Sequence, residues 1–181
     1  MKTFISIIVL LLLSQANAPA QSIKIGDSIN NRPLQWSDFA GTPDAASPYF
    51  ANTAWNINYR YNAVHFNEDK AIINDLEVTL QFNRDKSWKK KDNISDALLI
   101  HEQGHFDIAT LCQLEIINLI KNAALHKNDY SSQIKNIFRQ SIQKYKALED
   151  RYDIETEHSL NTTKQEEWNK FIQSEKKQLT K

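Results

Sequence analysis

Two hydrophobic periods divide the chain. Between Ser22 and Lys91 apolar side chains fall on alternate residues, whereas beyond Asn93 they recur at every third or fourth position. The first spacing is that of a half-buried strand, the second that of a helix with one apolar face. Ile23-Lys24-Ile25 reads as a short strand. Thr53, Trp55, Ile57, Tyr59 and Tyr61 make one longer alternating run, and Leu76, Val78, Leu80 and Phe82 make another. These two suit antiparallel pairing, although the connection from Asn62 to Asp75 is too long for a tight hairpin. The stretch from Pro33 to Gly41 mixes aromatics with turn formers and is expected to pack as a loop on the core. Lys89-Lys90-Lys91, in a charged turn, reads as solvated surface.

The second half predicts three helices. The first is capped by Asn93 or Ser95, carries Asp96 in its first turn, and runs to about Ala124. Leu98, His101, His105, Ile108, Cys112, Glu115 and Leu119 fall on one of its faces. Gly104 weakens a helix by about 1 kcal/mol relative to alanine, so its presence points to close approach by another element. The second helix, from about Ser131 to Tyr152, buries Ile134, Ile137, Phe138, Ile142, Tyr145, Leu148 and Tyr152. The third, from about Thr163 to Leu179, carries Trp168, Phe171, Ile172 and Leu179. The expected fold is therefore α+β, a small antiparallel sheet in the N-terminal half packed against three C-terminal helices, within one domain spanning 21–181.

Residues 1–20 follow a different rule. Lys2 precedes the apolar run Phe4 to Leu13, and small residues follow up to Ala20. The run of about ten residues is too short to span a bilayer of roughly 30 Å and fits a signal peptide cleaved after Ala20, leaving Gln21 as the first mature residue. The expected location is thus outside the cytoplasm, periplasmic or extracellular, with no membrane attachment after cleavage. The lone cysteine, Cys112, cannot form an intramolecular disulfide and reads as core packing. With 22 basic and 22 acidic residues the chain is formally neutral, which gives no support to nucleic-acid binding.

Candidate chemistry is concentrated in His101-Glu102-Gln103-Gly104-His105. On a helix, residues four apart share a face, so both imidazoles can reach one metal ion, and Glu102 stands where metallohydrolases of this pattern hold a general base. Two histidines do not complete such a centre, which takes three protein ligands. Ile108 and Leu111 occupy the places of the extended HExxHxxGxxH form, and Glu115 lies about 15 Å along the helix from His105 at 1.5 Å per residue. The third ligand must come from another element: His65, His158, or an acidic residue between Glu149 and Glu157. An antiparallel second helix would return the segment around His158 to the histidines.

The run from Leu98 to Ala109, with Trp36-Ser37-Asp38-Phe39 and Gly41, Tyr152-Asp153-x-x-Thr156-x-His158 and Gln165-x-x-Trp168, resembles a family of exported bacterial proteins described as predicted secreted zinc-dependent proteases. That family has glycine after the downstream histidine, where this chain has Ser159. The resemblance implies a zincin-like metallopeptidase domain, a Zn2+ cofactor and His158 as third ligand beside His101 and His105. Glu102 would then activate a zinc-bound water against a peptide or protein substrate. Tyr152 could donate a hydrogen bond to the oxyanion, although a tyrosine on the buried face of the second helix reads first as core, and Asp107 or Asp153 would orient a ligand imidazole. Two other readings use the same residues: a zinc amidase acting on cell-wall peptides, and a non-catalytic exported binding module with a structural metal.

Overall fold

The computed structural model describes residues 20–181, and the expected signal peptide lies, but for Ala20, outside the described residues. Eight short strands precede three helices: β1 Ala20–Ile25, β2 Ser28–Ile29, β3 Ala51–Asn52, β4 Trp55–Arg60, β5 Ala63–Asn67, β6 Lys70–Asn74, β7 Glu77–Phe82 and β8 Trp88–Lys89, then α1 Asp96–Asn122, α2 Tyr130–Thr156 and α3 Thr162–Leu179. The α+β class and the three helices are as expected. None of the described helices is long and apolar enough to cross a membrane.

The main sheet has the order β2-β1-β7-β4. The pairing expected between the two long alternating runs is present: β4 lies antiparallel to β7, with Ile57 opposite Leu80. On the other side of β7, however, β1 runs parallel, with Ile23 opposite Leu80, so the sheet is mixed and not antiparallel. A parallel neighbour needs a long crossover, and the 20–82 segment provides one by sending the chain through the loop, β3 and β4 before β7. A second departure concerns the 62–75 connection, which forms a hairpin of its own, β5 paired with β6. It turns at Glu68, which has φ 53°.

β7 is the centre of the sheet. Val78, Leu80 and Phe82 point to one face and are fully buried, where Phe82 meets Phe106 of α1 edge-on at 5.6 Å. α1 is enclosed by the sheet, α2 and α3 together, which explains why its buried residues fall all around the helix and not on one stripe. Gln113, fully buried, donates from Nε2 to the carbonyls of Ser22 and Val78 and so ties α1 to both β1 and β7. Cys112 is a packing group, its thiol pushed up to about 12 by burial. Ser95 caps α1 by accepting from the amide of Leu98.

Lys89 and Lys90 are not solvated surface. Lys89 donates to the carbonyls of Trp36 and Phe39, and Lys90 Nζ to the carbonyl of Ser47 at 2.5 Å. The two lysines thus fasten the irregular 36–50 chain to β8.

α1 and α2 meet most closely at Gly104. A Cβ built there would overlap the hydroxyl of Tyr152 and lie 2.7 Å from its Cζ. Tyr152 is wedged between core side chains and cannot retreat. Gly104→Ala is therefore expected to destabilise the protein despite alanine's better helix propensity, because overpacking costs about 1–3 kcal/mol. Urea denaturation checks this, and an unchanged or raised midpoint would contradict the tight contact.

Candidate functional site

α1 presents His101, Glu102 and His105 towards the C-terminal end of α2, as the antiparallel return of α2 requires. α2 runs one turn beyond its expected end at Tyr152, through Thr156, and the extra turn brings Asp153 over the histidines. Three consecutive residues in the left-handed region then stop it: Glu157 (φ 50°), His158 (φ 49°) and Ser159 (φ 80°). The amide of His158 bonds the carbonyl of Asp153, and the turn folds the His158 ring back over the site. The residue at 159, where the resembled family carries glycine, adopts the backbone that glycine favours.

The centre of the arrangement is one atom, Oδ1 of Asp153. Nε2 of His101 lies 3.1 Å from it, Nε2 of His105 2.9 Å, and Nδ1 of His158 3.4 Å. His101, Asp153 and His158 each offer a ligand atom within 4.8 Å of the others. The structure thus gathers all three expected histidine ligands around an aspartate that sequence reasoning places among orienting groups or leaves within a range of acidic candidates.

Each α1 histidine has its second ring nitrogen engaged. Nδ1 of His101 faces Oε1 of Gln165 at 3.2 Å, and the Gln165 amide is oriented by donating to Tyr152 and Asn169. Nδ1 of His105 faces Oε1 of Glu149 at 3.5 Å. Glu149 in turn accepts from the Trp55 indole at 2.7 Å and from Lys146 at 2.8 Å. A neutral imidazole has one donor and one acceptor nitrogen. With the Nδ1 protons given to Gln165 and Glu149, both Nε2 atoms carry lone pairs that point at a carboxylate oxygen. Each acceptor nitrogen about 3 Å from that oxygen repels it unless a cation joins them.

The titration of the site reflects that demand. Burial by itself would make His105 harder to protonate, but hydrogen bonds to Asp153 and Glu149 outweigh it and raise its pKa to about 10. Burial works against the charged form of Asp153 as well, yet the two histidines hold it well below the usual carboxylate range. A proton is the smallest cation that satisfies this donor set. The imidazole and carboxylate atoms, and the orienting groups behind them, are also the set a divalent transition metal takes, so the residues fit such an ion.

Glu102 is 3% exposed and lines a cleft of about 320 Å³ together with His101, His105, Asp153 and His158. Thr53 donates to its Oε2 at 2.6 Å. Burial raises its pKa, an effect that His105 and Thr53 partly offset.

Other expected residues lie elsewhere. Tyr152 is 0% exposed and lines no part of the cleft. Its hydroxyl donates to the backbone carbonyl of His101 and accepts from Gln165, and its ring stacks on His101 at 4.7 Å. This is the core position expected of a residue on the buried face of the second helix, not that of an oxyanion donor, and from it Tyr152 positions His101. Asp107 accepts from Gln103 and faces a separate cavity on the far side of α1. His65 is exposed on β5, and His126 pairs with Asp69. The site components to which the sequence gives no role, Thr53, Trp55 and Gln165, are polar or aromatic groups on otherwise apolar faces, while Glu149 falls at the edge of the acidic range considered for the third ligand. In α2 the signal is the 4-residue step from Glu149 to Asp153 beside that from Tyr152 to Thr156.

Residues 35–159 match the model of the family described as "Bacterial protein of unknown function (DUF922)". The chain belongs to this family. The matched span contains every site residue named above except Gln165. No curated protein and no solved structure matches the chain.

With its hydroxyl engaged on both sides, Tyr152 contributes to stability and ring placement. Tyr152→Phe is expected to cost about 1 kcal/mol of folding free energy, the worth of a typical hydrogen bond, while metal affinity stays within a few-fold of wild type. Thermal denaturation and metal titration check this. A variant of full stability that had lost turnover about 100-fold or more, the cost of removing an oxyanion donor, would return Tyr152 to the oxyanion role.

Proposed function

We propose that this DUF922 protein is an exported zinc-dependent hydrolase that cleaves peptide bonds. One observation carries the reading: two imidazole Nε2 atoms meet one carboxylate oxygen, with His158 beside them, in a cleft that also holds a buried carboxylate not committed to that point. Export is supported by the apolar run Phe4–Leu13 followed by small residues up to Ala20.

His101, His105 and Asp153, with His158, would hold a divalent metal ion there, which would supply Lewis acidity to polarise a carbonyl and acidify a water. The remaining work belongs to the chain. Gln165 and Glu149 fix the tautomers of His101 and His105, so that both direct Nε2 to the same point. Thr53 holds Oε2 of Glu102 and leaves the other oxygen to take a proton from the attacking water and pass one to the leaving amine. β3 borders the cleft and pairs only with β8 among the described residues. Its second edge is suited to an extended peptide added as a further strand.

A second reading has its own support. Asp153 with the three histidines makes four protein donors, the number of a closed structural zinc site. Glu102 separates the two, since it serves hydrolysis but not retention of the ion.

Two outcomes are expected. The purified protein holds about one zinc per chain, as a single site requires. His158→Ala and Asp153→Ala lose zinc on dialysis while His65→Ala does not, as metal analysis reads; unchanged zinc in the first pair would move the site elsewhere. Glu102→Gln keeps zinc and fold but loses hydrolysis of unfolded protein by about 10²–10⁴-fold or more, the contribution of a general base. A Glu102→Gln variant as fast as wild type would end the catalytic assignment.

A further inference from the structure

The walls of the cleft differ in kind from its floor. The floor is polar: His101, Glu102, His105 and Asp153. The rim is apolar and open. Tyr49 is 45% exposed, Phe50 43% and Leu160 77%, and all three line the cleft. Single exposed apolar residues are ordinary, but a cluster around a polar floor is a feature of ligand sites.

The two sides of this rim come from segments that are held in place independently. On one side the chain from Ser47 to Asn52 is fastened by Lys90, whose ammonium binds the carbonyl of Ser47 and whose amide binds that of Phe50. The β3–β8 pairing continues the attachment. On the other side stands the left-handed turn, with His158 and Leu160. The sides meet where the rings of Tyr49 and His158 pack at 4.1 Å. Leu160 makes no such contact and stands free. At about 320 Å³ the cleft is at the small end of ligand sites, which run from roughly 300 to 1,000 Å³.

Charge narrows the occupant further. The ionisable groups facing the cleft are Glu102, Asp153 and Glu157 beside the three histidines, and none of the described lining residues is lysine or arginine. Away from the histidines and any ion they hold, a carboxylate in the ligand would meet only like charge. Glu157 is exposed, so water screens its attraction for a cationic side chain.

We infer that the cleft selects a peptide with an apolar, preferably aromatic, side chain next to the bond to be cleaved, seated between Tyr49, Phe50 and Leu160, and rejects an acidic one. This rests on the reading of the site as a metal centre with an open position, and it adds the class of substrate.

The test reads binding and not turnover. Hydroxamic acids that differ only in their arm (methyl, phenylethyl, carboxyethyl or aminoethyl) are titrated calorimetrically into zinc-loaded full-length protein whose metal content has been measured. The phenylethyl compound is expected to bind about ten-fold or more tightly than the methyl one, since burying an aromatic group at a partly open rim recovers part of its transfer free energy. The carboxyethyl compound should bind more weakly than the methyl one. In Leu160→Ser, a change at an open surface position that leaves the ligands alone, the phenylethyl advantage should shrink several-fold, and Tyr49→Ser should reduce it as well. Equal affinities for all arms, a preference for the charged ones, or an advantage untouched in both variants would overturn the inference and leave the metal-centre reading standing. Zinc-loaded protein that binds no hydroxamate would overturn the inference together with the open position. Protein that takes up no zinc would instead sink the functional reading itself.

Discussion

The contact between Tyr152 and Gly104 is the constraint on which the site depends. A residue without a side chain in the middle of α1 lets a phenol from α2 lie directly on the helix backbone. That sets the separation and the rotation of the two helices. With Tyr152 fixed at the carbonyl of His101, its neighbour Asp153 falls above the two imidazoles, Glu149 one turn earlier reaches His105, and Thr156 one turn later packs beside His101. α3 completes the cage by bringing Gln165 to the same hydroxyl and the same imidazole. One close approach thus places groups from three helices, and a shift of a few tenths of an ångström there would be felt by every side chain of the site.

The electrostatics of the site follow from burial on this frame. The chain is neutral as a whole, yet Glu102, Glu149 and Asp153 are drawn together around the histidines. Each is used differently because each has different partners. Glu149 is neutralised by Lys146 and engaged by Trp55 and His105, and its pKa falls even though burial alone would raise it. Asp153 is held ionised by two imidazoles. Glu102 has chiefly a hydroxyl for company, and burial dominates its pKa. Similar carboxyl groups are thereby sorted into an anchor, a ligand-like group and a candidate base, and environment does the sorting.

Local patterns along the chain make much of this legible. Alternation in 53–61 and 76–82 identifies two strands and their pairing, because each buries one face against α1. The 4-residue step from His101 to His105 identifies the side of the first helix that carries the site, and the return of α2 brings His158 towards it. Other features depend on relations that no local pattern encodes. The placement of β1 depends on its partner β7, more than 50 residues away in sequence, and nothing in its own alternation shows that it runs parallel. α2 outruns its expected end because Thr156 and Asp153 resemble residues of a loop, whereas their side chains are satisfied by Tyr152 and the histidines and allow the helix to continue. Tyr152 suits core and cleft equally by residue type, and only the contact at Gly104 decides between them. Lys89 and Lys90 resemble surface charge because their carbonyl acceptors lie more than 40 residues away in sequence.

The turn at Glu157, His158 and Ser159 has a thermodynamic consequence. Side-chain-bearing residues held at positive φ cost on the order of 1 kcal/mol or more each, so the ring of His158 is kept over the site against the preference of its own backbone. Any ion that engages this ring also offsets that conformational cost. By linkage the converse would hold for the proposed site: whatever loosened the turn would weaken the grip on an ion by the same free energy. On the proposed reading, ligation and local order at the end of α2 would be one equilibrium described from two sides, with the three left-handed residues of the turn setting its balance.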